Sequence, residues 1–127
     1  MSNARRSLES LGLAALLILA GPWCRARGQM VYVPNYNEQT VSVLVVNAEV
    51  GTLTEVLPRL PPPGRPAAAA AEPKGRFVYV TNEGKPPNVA AYRINPATGA
   101  LSPIPGSPYN LEGAAVGASA DQGGKYL

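Results

Sequence analysis

The sequence predicts an all-β fold assembled from stacked repeats, and three observations predict it. The stretch Val31, Tyr32, Val33, Pro34, Asn35 returns 47 positions later as Val78, Tyr79, Val80, Thr81, Asn82. Val41, Asn47, Gly51, Leu53 and Val56 return 48 positions later as Val89, Asn95, Gly99, Leu101 and Ile104, so one residue is inserted in the loop between. Around these landmarks short apolar runs alternate with turn residues, which is the pattern of short strands. Self-similarity at a fixed period means that each copy is one supersecondary unit, able to bury its apolar faces only by stacking on a neighbour. A third copy begins with Gly124, Lys125, Tyr126 and Leu127, the equivalents of Gly75, Arg76, Phe77 and Val78.

Residues 1–28 read as a secretory signal peptide with its helix. Arg5 and Arg6 supply the positive start, and residues 11–21 form an apolar run of eleven. A transmembrane helix needs roughly 20 such residues, which argues against a stable span or a retained anchor. Small residues mark two cleavage sites, at Cys24-Arg25-Ala26 and at Ala26-Arg27-Gly28. The second is favoured because the first repeat starts directly after it, and it leaves Gln29 as the new terminus. Adjacent arginines also fit twin-arginine export in part, so the route stays open. Cys24 follows Trp23 rather than a small residue, which argues against lipidation, and the mature chain is expected to hold no cysteine. The expected destination is extracytoplasmic, periplasmic or secreted.

The charge divides along the same boundary. Arg5, Arg6, Arg25, Arg27 and Glu9 give the first 28 residues a net of +3, whereas the rest holds seven basic and seven acidic residues. The basic pI therefore belongs to the signal segment, and no nucleic-acid partner is expected.

Residues 31–33 and 77–80 are continuous apolar runs, as in strands covered on both faces. Residues 41–46 and 89–94 are the next strands, each followed by a turn, 47–51 and 95–99, that ends in a glycine able to take positive φ. Residues 53–57 and 101–104 are the return strands. Between the copies lie a proline-rich stretch, 61–66, and five alanines, 67–71. Alanine propensity favours a helix here. Repeat equivalence with residues 114–120, again small and without helical period, favours a strand, and five residues nucleate a helix poorly.

Val78-Tyr79-Val80-Thr81-Asn82, then Asn88-Val89, Tyr92-Arg93-Ile94 and Asn95-Pro96-Ala97-Thr98-Gly99-Ala100-Leu101, resemble the YVTN β-propeller repeat of the lactonase-type propellers, the 6-phosphogluconolactonase-like family. The likeness runs on through Pro105-Gly106-Ser107-Pro108-Tyr109. It is looser in the first copy, where Pro34 stands for threonine and the turn lacks its proline. The resemblance implies a partial β-propeller of about two four-stranded antiparallel blades. Blade one would span 29–60 and lack its inner strand, blade two 66–104, and blade three would start at 114–127. Residues 67–71 and 114–120 would be innermost strands, where bulky side chains crowd near the axis. It also implies a ring of seven blades, so the chain is expected to be a segment whose partners are further blades of a longer chain or other copies of itself.

The sequence has no histidine, which excludes Ser-His-Asp, Cys-His and His-based metal sites within this chain. No metal or cofactor is expected. Lactone hydrolysis needs a base to activate water and a cation or donor for the oxyanion. Glu38, Glu83, Glu112, Asp121, Lys85 and Arg93 are of suitable type, and Glu83 and Lys85 are the candidates, since they sit in a loop after a strand. Their alternative role is as solvated loop charges. Tyr32, Tyr79 and Tyr92 are expected to pack between blades, and Arg93 to lie along a blade face. No catalytic motif of the family matches these positions. The expected function is an exported propeller segment with a binding or scaffold role and no self-contained catalytic site, its ligand unknown. The alternatives are the N-terminal part of a lactonase-like hydrolase acting on sugar lactones, and a remnant with no independent function.

Overall fold

A computed structural model of the chain describes residues 29–127; the expected signal segment and its helix lie outside the described residues. The described residues form eight strands in two antiparallel sheets, with no helix among them. Sheet one is a meander of β1 (Gln29–Asn35), β2 (Thr40–Asn47) and β3 (Thr52–Leu60). Sheet two runs β4 (Arg65–Ala71), β5 (Phe77–Glu83), β6 (Asn88–Ile94) and β7 (Leu101–Pro103), and β8 (Tyr109–Asn110) also pairs with β6. The molecule is an all-β partial propeller.

The alanine segment is a strand. Ala68, Ala69, Ala70 and Ala71 pair with Thr81, Val80, Tyr79 and Val78. Helix propensity is worth tenths of a kcal/mol per residue, and the ladder offered by β5 overrides it. Sheet one has no counterpart of β4 among the described residues, so β1, the equivalent of β5, has β2 as its single strand neighbour. The outer position of sheet two is divided between β7 and β8, where sheet one has the single strand β3. Pro103, Pro105 and Pro108 withhold donors from that edge, and the chain turns out and back between the two pieces. The residue pattern alone identified only the first piece.

Residues 114–120 are a correction. They were expected to be an innermost strand, and no strand forms there. A strand exists only with a ladder partner, and among the described residues no equivalent of β5 pairs with 114–120. The turn that would lead into it is nevertheless built. In the turn after β4, the Glu72 N–H donates to Phe77 O and the Gly75 N–H to Glu72 O. In the third copy the Asp121 N–H donates to Tyr126 O and the Gly124 N–H to Asp121 O. Gly75 and Gly124 share positive φ, 67° and 66°. The two turns also touch: a Cβ on Gly124 would fall 2.7 Å from the Glu72 side chain.

The hairpin turns repeat in the same way. The Gly51 and Gly99 N–H groups each bond the carbonyl of the turn asparagine, Asn47 or Asn95, at 2.8 Å. Each asparagine side chain accepts a backbone N–H two residues on, that of Glu49 or of Ala97.

The core is the seam between the sheets. Val78, Val80, Ala90, Tyr92 and Ile94 of sheet two close over Val41 of sheet one, with Met30, Tyr32, Leu60, Ala69 and Leu101 packed around them. Period-two alternation puts Met30, Tyr32, Val41 and Val43 on the inward face of sheet one. Val31, Val33, Leu44 and Val46 face the other way, and Val31 and Val33 are 41% and 38% exposed.

Glu72 is the buried charge of this arrangement. Its carboxylate pairs with the Arg76 guanidinium and accepts the Arg76 N–H at 3.2 Å. The hydrogen bond from Arg76 leads the effects that hold the carboxyl below its ordinary value, against burial, which opposes it. A lowered folded pKa gives stability that is complete above the unfolded value and is lost as pH falls through the folded one. Denaturation midpoints of the full chain should therefore drop on acidification below the ordinary value of 4.5. Glu72→Gln should lower the midpoint at neutral pH and make the acid limb shallower. An acid limb identical in both proteins would show that this carboxylate contributes none of it.

Candidate functional site

Two clefts open at opposite ends of the seam. The larger, about 630 Å³, is lined by Tyr36, Gln39, Arg65, Glu83 and Lys85 among others. The structure thus brings both candidate residues, Glu83 and Lys85, into one cleft. Glu83 is the last residue of β5, and Lys85 lies in the loop before β6.

Each cleft residue is placed by backbone geometry. Asn82, one residue before Glu83, is fully buried, and its side-chain amide donates to Asn88 Oδ1 at 3.0 Å and to Val80 O at 3.2 Å. Asn35, its repeat equivalent, donates to the hydroxyls of Thr40 and Ser42 at 3.1 and 2.9 Å. In both copies the asparagine ties the end of one strand to the start of the next, which aims the following residue, Tyr36 or Glu83, at the cleft. The tie leaves Asn82 Oδ1 buried with no partner among the described residues. Gly64 allows the closest approach: a Cβ there would lie 2.9 Å from Glu83 O and 3.1 Å from Asn82 Cβ. Gln39 holds φ 53°, a left-handed conformation that a non-glycine residue adopts at a cost.

The Tyr36 hydroxyl donates to Glu83 Oε2 at 2.7 Å, joining the two sheets. Arg65, the ladder partner of Glu83, sets its guanidinium 5.6 Å from the Tyr36 ring centroid. The ion pairs among the described residues are Arg59–Glu38, Arg59–Glu55 and Arg76–Glu72, so neither Arg65 nor Lys85 is tied to a carboxylate there. The cleft therefore presents one carboxylate already accepting a tyrosine hydrogen bond, two cations, and an aromatic ring. Such a set can hold and orient a polar ligand. Its lining holds no serine, threonine or cysteine, and among the described residues no three acidic, histidine or cysteine side chains could hold a metal ion.

The other residues named from the sequence lie elsewhere. Glu38 pairs with Arg59 at an exposed turn, and Glu112 is exposed. Asp121 accepts the N–H groups of Gly123, Lys125 and Tyr126, and these bonds hold its carboxyl low. Arg93 lies along the sheet, 5.4 Å from the Phe77 ring centroid. Tyr32 and Tyr92 pack in the seam. Tyr32 also lines the smaller cleft, about 340 Å³. Among the described residues its hydroxyl reaches Met30 Sδ alone, at 3.5 Å, and burial pushes its pKa up to about 12. Reading for acids and bases missed Tyr36, Gln39, Gly64 and Arg65. The repeat carried a signal for Tyr36, which stands 47 positions before Glu83 and is its equivalent.

Compared with known families, the chain matches the one described as Lactonase, 7-bladed beta-propeller, over residues 24–117. No curated protein matches it.

The tight floor of the cleft has a measurable consequence. Gly64→Ala should lower the unfolding free energy by about 1–3 kcal/mol, the usual cost of overpacking. Gly113→Ala, with nothing within 4 Å of its added Cβ, should cost much less in the same urea titration. Equal effects would show that the backbone at residue 64 moves aside freely.

Proposed function

We propose that this chain, which belongs to the family of seven-bladed β-propeller lactonases, is a ligand-binding propeller segment rather than a self-contained hydrolase. The observation that carries this reading is the seam cleft, where Tyr36, Arg65, Glu83 and Lys85 from two successive repeats converge. Two sheets contribute to it, so it is a site of the stacked array and not of one repeat. Glu83 and Tyr36 supply an acceptor and an aromatic surface. Arg65 and Lys85 supply donors for carbonyl or hydroxyl oxygens. The ligand class that suits this set and the family is a sugar lactone or the polyhydroxy acid it opens to.

The hydrolase reading rests on the same residues. Glu83 would be the base for water, and Lys85 or Arg65 the cation facing the oxyanion. The commitment of Glu83 Oε2 to Tyr36 favours binding over proton abstraction. Titrating the full chain with glucono-δ-lactone should perturb the amide resonances of Tyr36, Glu83 and Lys85, with no hydrolysis above buffer. Glu83→Gln and Lys85→Ala should weaken the perturbation. Turnover above buffer that Glu83→Gln abolishes would instead establish the hydrolase reading.

Export completes the proposal. Arg5, Arg6, the apolar run 11–21 and the small residues Ala26 and Gly28 support cleavage before Gln29. Mass spectrometry of exported protein should find Gln29 at the terminus, and an intact Met1 in the membrane fraction would overturn it.

A further inference from the structure

We propose that Gln29 is a modification site, where the terminus left by signal cleavage, held at the rim of the smaller cleft beside Lys74, closes on its own side chain to a neutral lactam (pyroglutamate). The proposal rests on the cleavage before Gln29 argued above and goes beyond it to the chemistry of the new end. A glutamine that becomes a terminus carries nucleophile and electrophile in one residue. Its α-amine nitrogen attacks the side-chain amide carbon, Cδ, and a small ring forms. The bond from Cδ to the amide nitrogen breaks, that nitrogen takes the proton given up by the amine, and ammonia leaves. Nothing is oxidised or reduced, and no co-reactant is consumed. Holding both groups on one residue makes the step intramolecular, with the gain that proximity brings.

The surroundings of Gln29 favour the reaction. Gln29 is the first residue of β1, set in the ladder opposite Val46. Strand alternation puts its side chain on the outward face with Val31, and the residue is exposed, so the amide is free to turn back on its own nitrogen. Gln29 also lines the smaller cleft, together with Met30, Tyr32, Pro73, Lys74 and Ile94. No carboxylate is among the lining residues, and their one cation is Lys74. Glu72 lies close enough for Lys74 to help hold its carboxyl low, but that carboxylate is already paired with Arg76. Tyr32 stays a neutral phenol, its pKa pushed up to about 12. An α-ammonium placed here meets a like charge and apolar walls, and both favour the uncharged amine, which is the nucleophile. Glu49 opposes this: it stands in the turn beyond Val46, exposed and outside the cleft. The ordinary α-amino pKa is about 7.7–8.0, so a fall of a fraction of a unit raises the reactive share at neutral pH. The lactam carries no charge for Lys74 to repel, and it offers no free amine to an aminopeptidase.

Mass spectrometry of the exported protein tests this. The full chain is expressed with its leader, the exported fraction is incubated at neutral pH, and its N-terminal peptide is followed over time. The peptide that starts at Gln29 is expected to become lighter by one ammonia and to resist stepwise sequencing from the amine. Lys74→Gln should slow closure roughly twofold to threefold, the effect of a fraction of a pK unit, and Glu49→Gln should speed it. Added salt should shrink both differences, which a loss of structure would not do. A Gln29 terminus that keeps its free amine overturns this proposal and leaves the export reading standing. A chain that begins at Met1, or anywhere else before Gln29, overturns both. Equal rates in Lys74→Gln and the parent chain overturn the part given to the cleft.

Discussion

The structure depends on one seam. Neither sheet can bury both of its faces alone, and the cluster of Val78, Val80, Ala90, Tyr92 and Ile94 is closed only because Val41 and its neighbours come down on it from the other sheet. Each fully buried aliphatic side chain removes roughly 1.5–3 kcal/mol worth of apolar surface from water, and that gain exists only when two repeats stack. The alanines of β4 suit this arrangement because their short side chains let β1 lie close across them. Where the seam ends, at either edge, it opens into a cleft. The candidate site is thus a product of the stacking that stabilises the fold, and a change that loosens one loosens the other.

Much of this was legible in the residues. The offsets of 47 and 48 positions located β1, β2, β3, β5, β6 and β7, and equivalence with residues 114–120 located β4; only β8 escaped. The turn glycines were identifiable because Gly51 and Gly99 close equivalent loops, and both take positive φ. The alanine segment shows why a repeat can outweigh propensity: five alanines say little locally, whereas their place before a strand fixes their pairing. β8 was hidden because prolines break the outer strand, leaving a two-residue piece too short for any pattern to mark. Residues 114–120 misled for the opposite reason. Their pattern is that of a strand, but a strand is a relation between two segments, and pattern reports only one of them.

The candidate site was half legible. Glu83 and Lys85 were visible as charges after a strand. Tyr36 and Arg65 were not, because their importance comes from the neighbouring sheet and from a ladder register that composition does not encode. Asn35 and Asn82 were read as parts of a motif, yet their work is mechanical. Each ties two strand ends together so that the next residue points into the cleft, and Asn82 does so with one oxygen left buried and unpartnered. Such a group costs on the order of 1–3 kcal/mol. That cost is tolerated at the point where the chain must present Glu83.

The bond between Tyr36 and Glu83 joins the same position of two successive repeats. In these two copies a donor meets an acceptor, so losing either residue unpairs the other, and positions 36 and 83 cannot vary independently without giving up the link between the sheets.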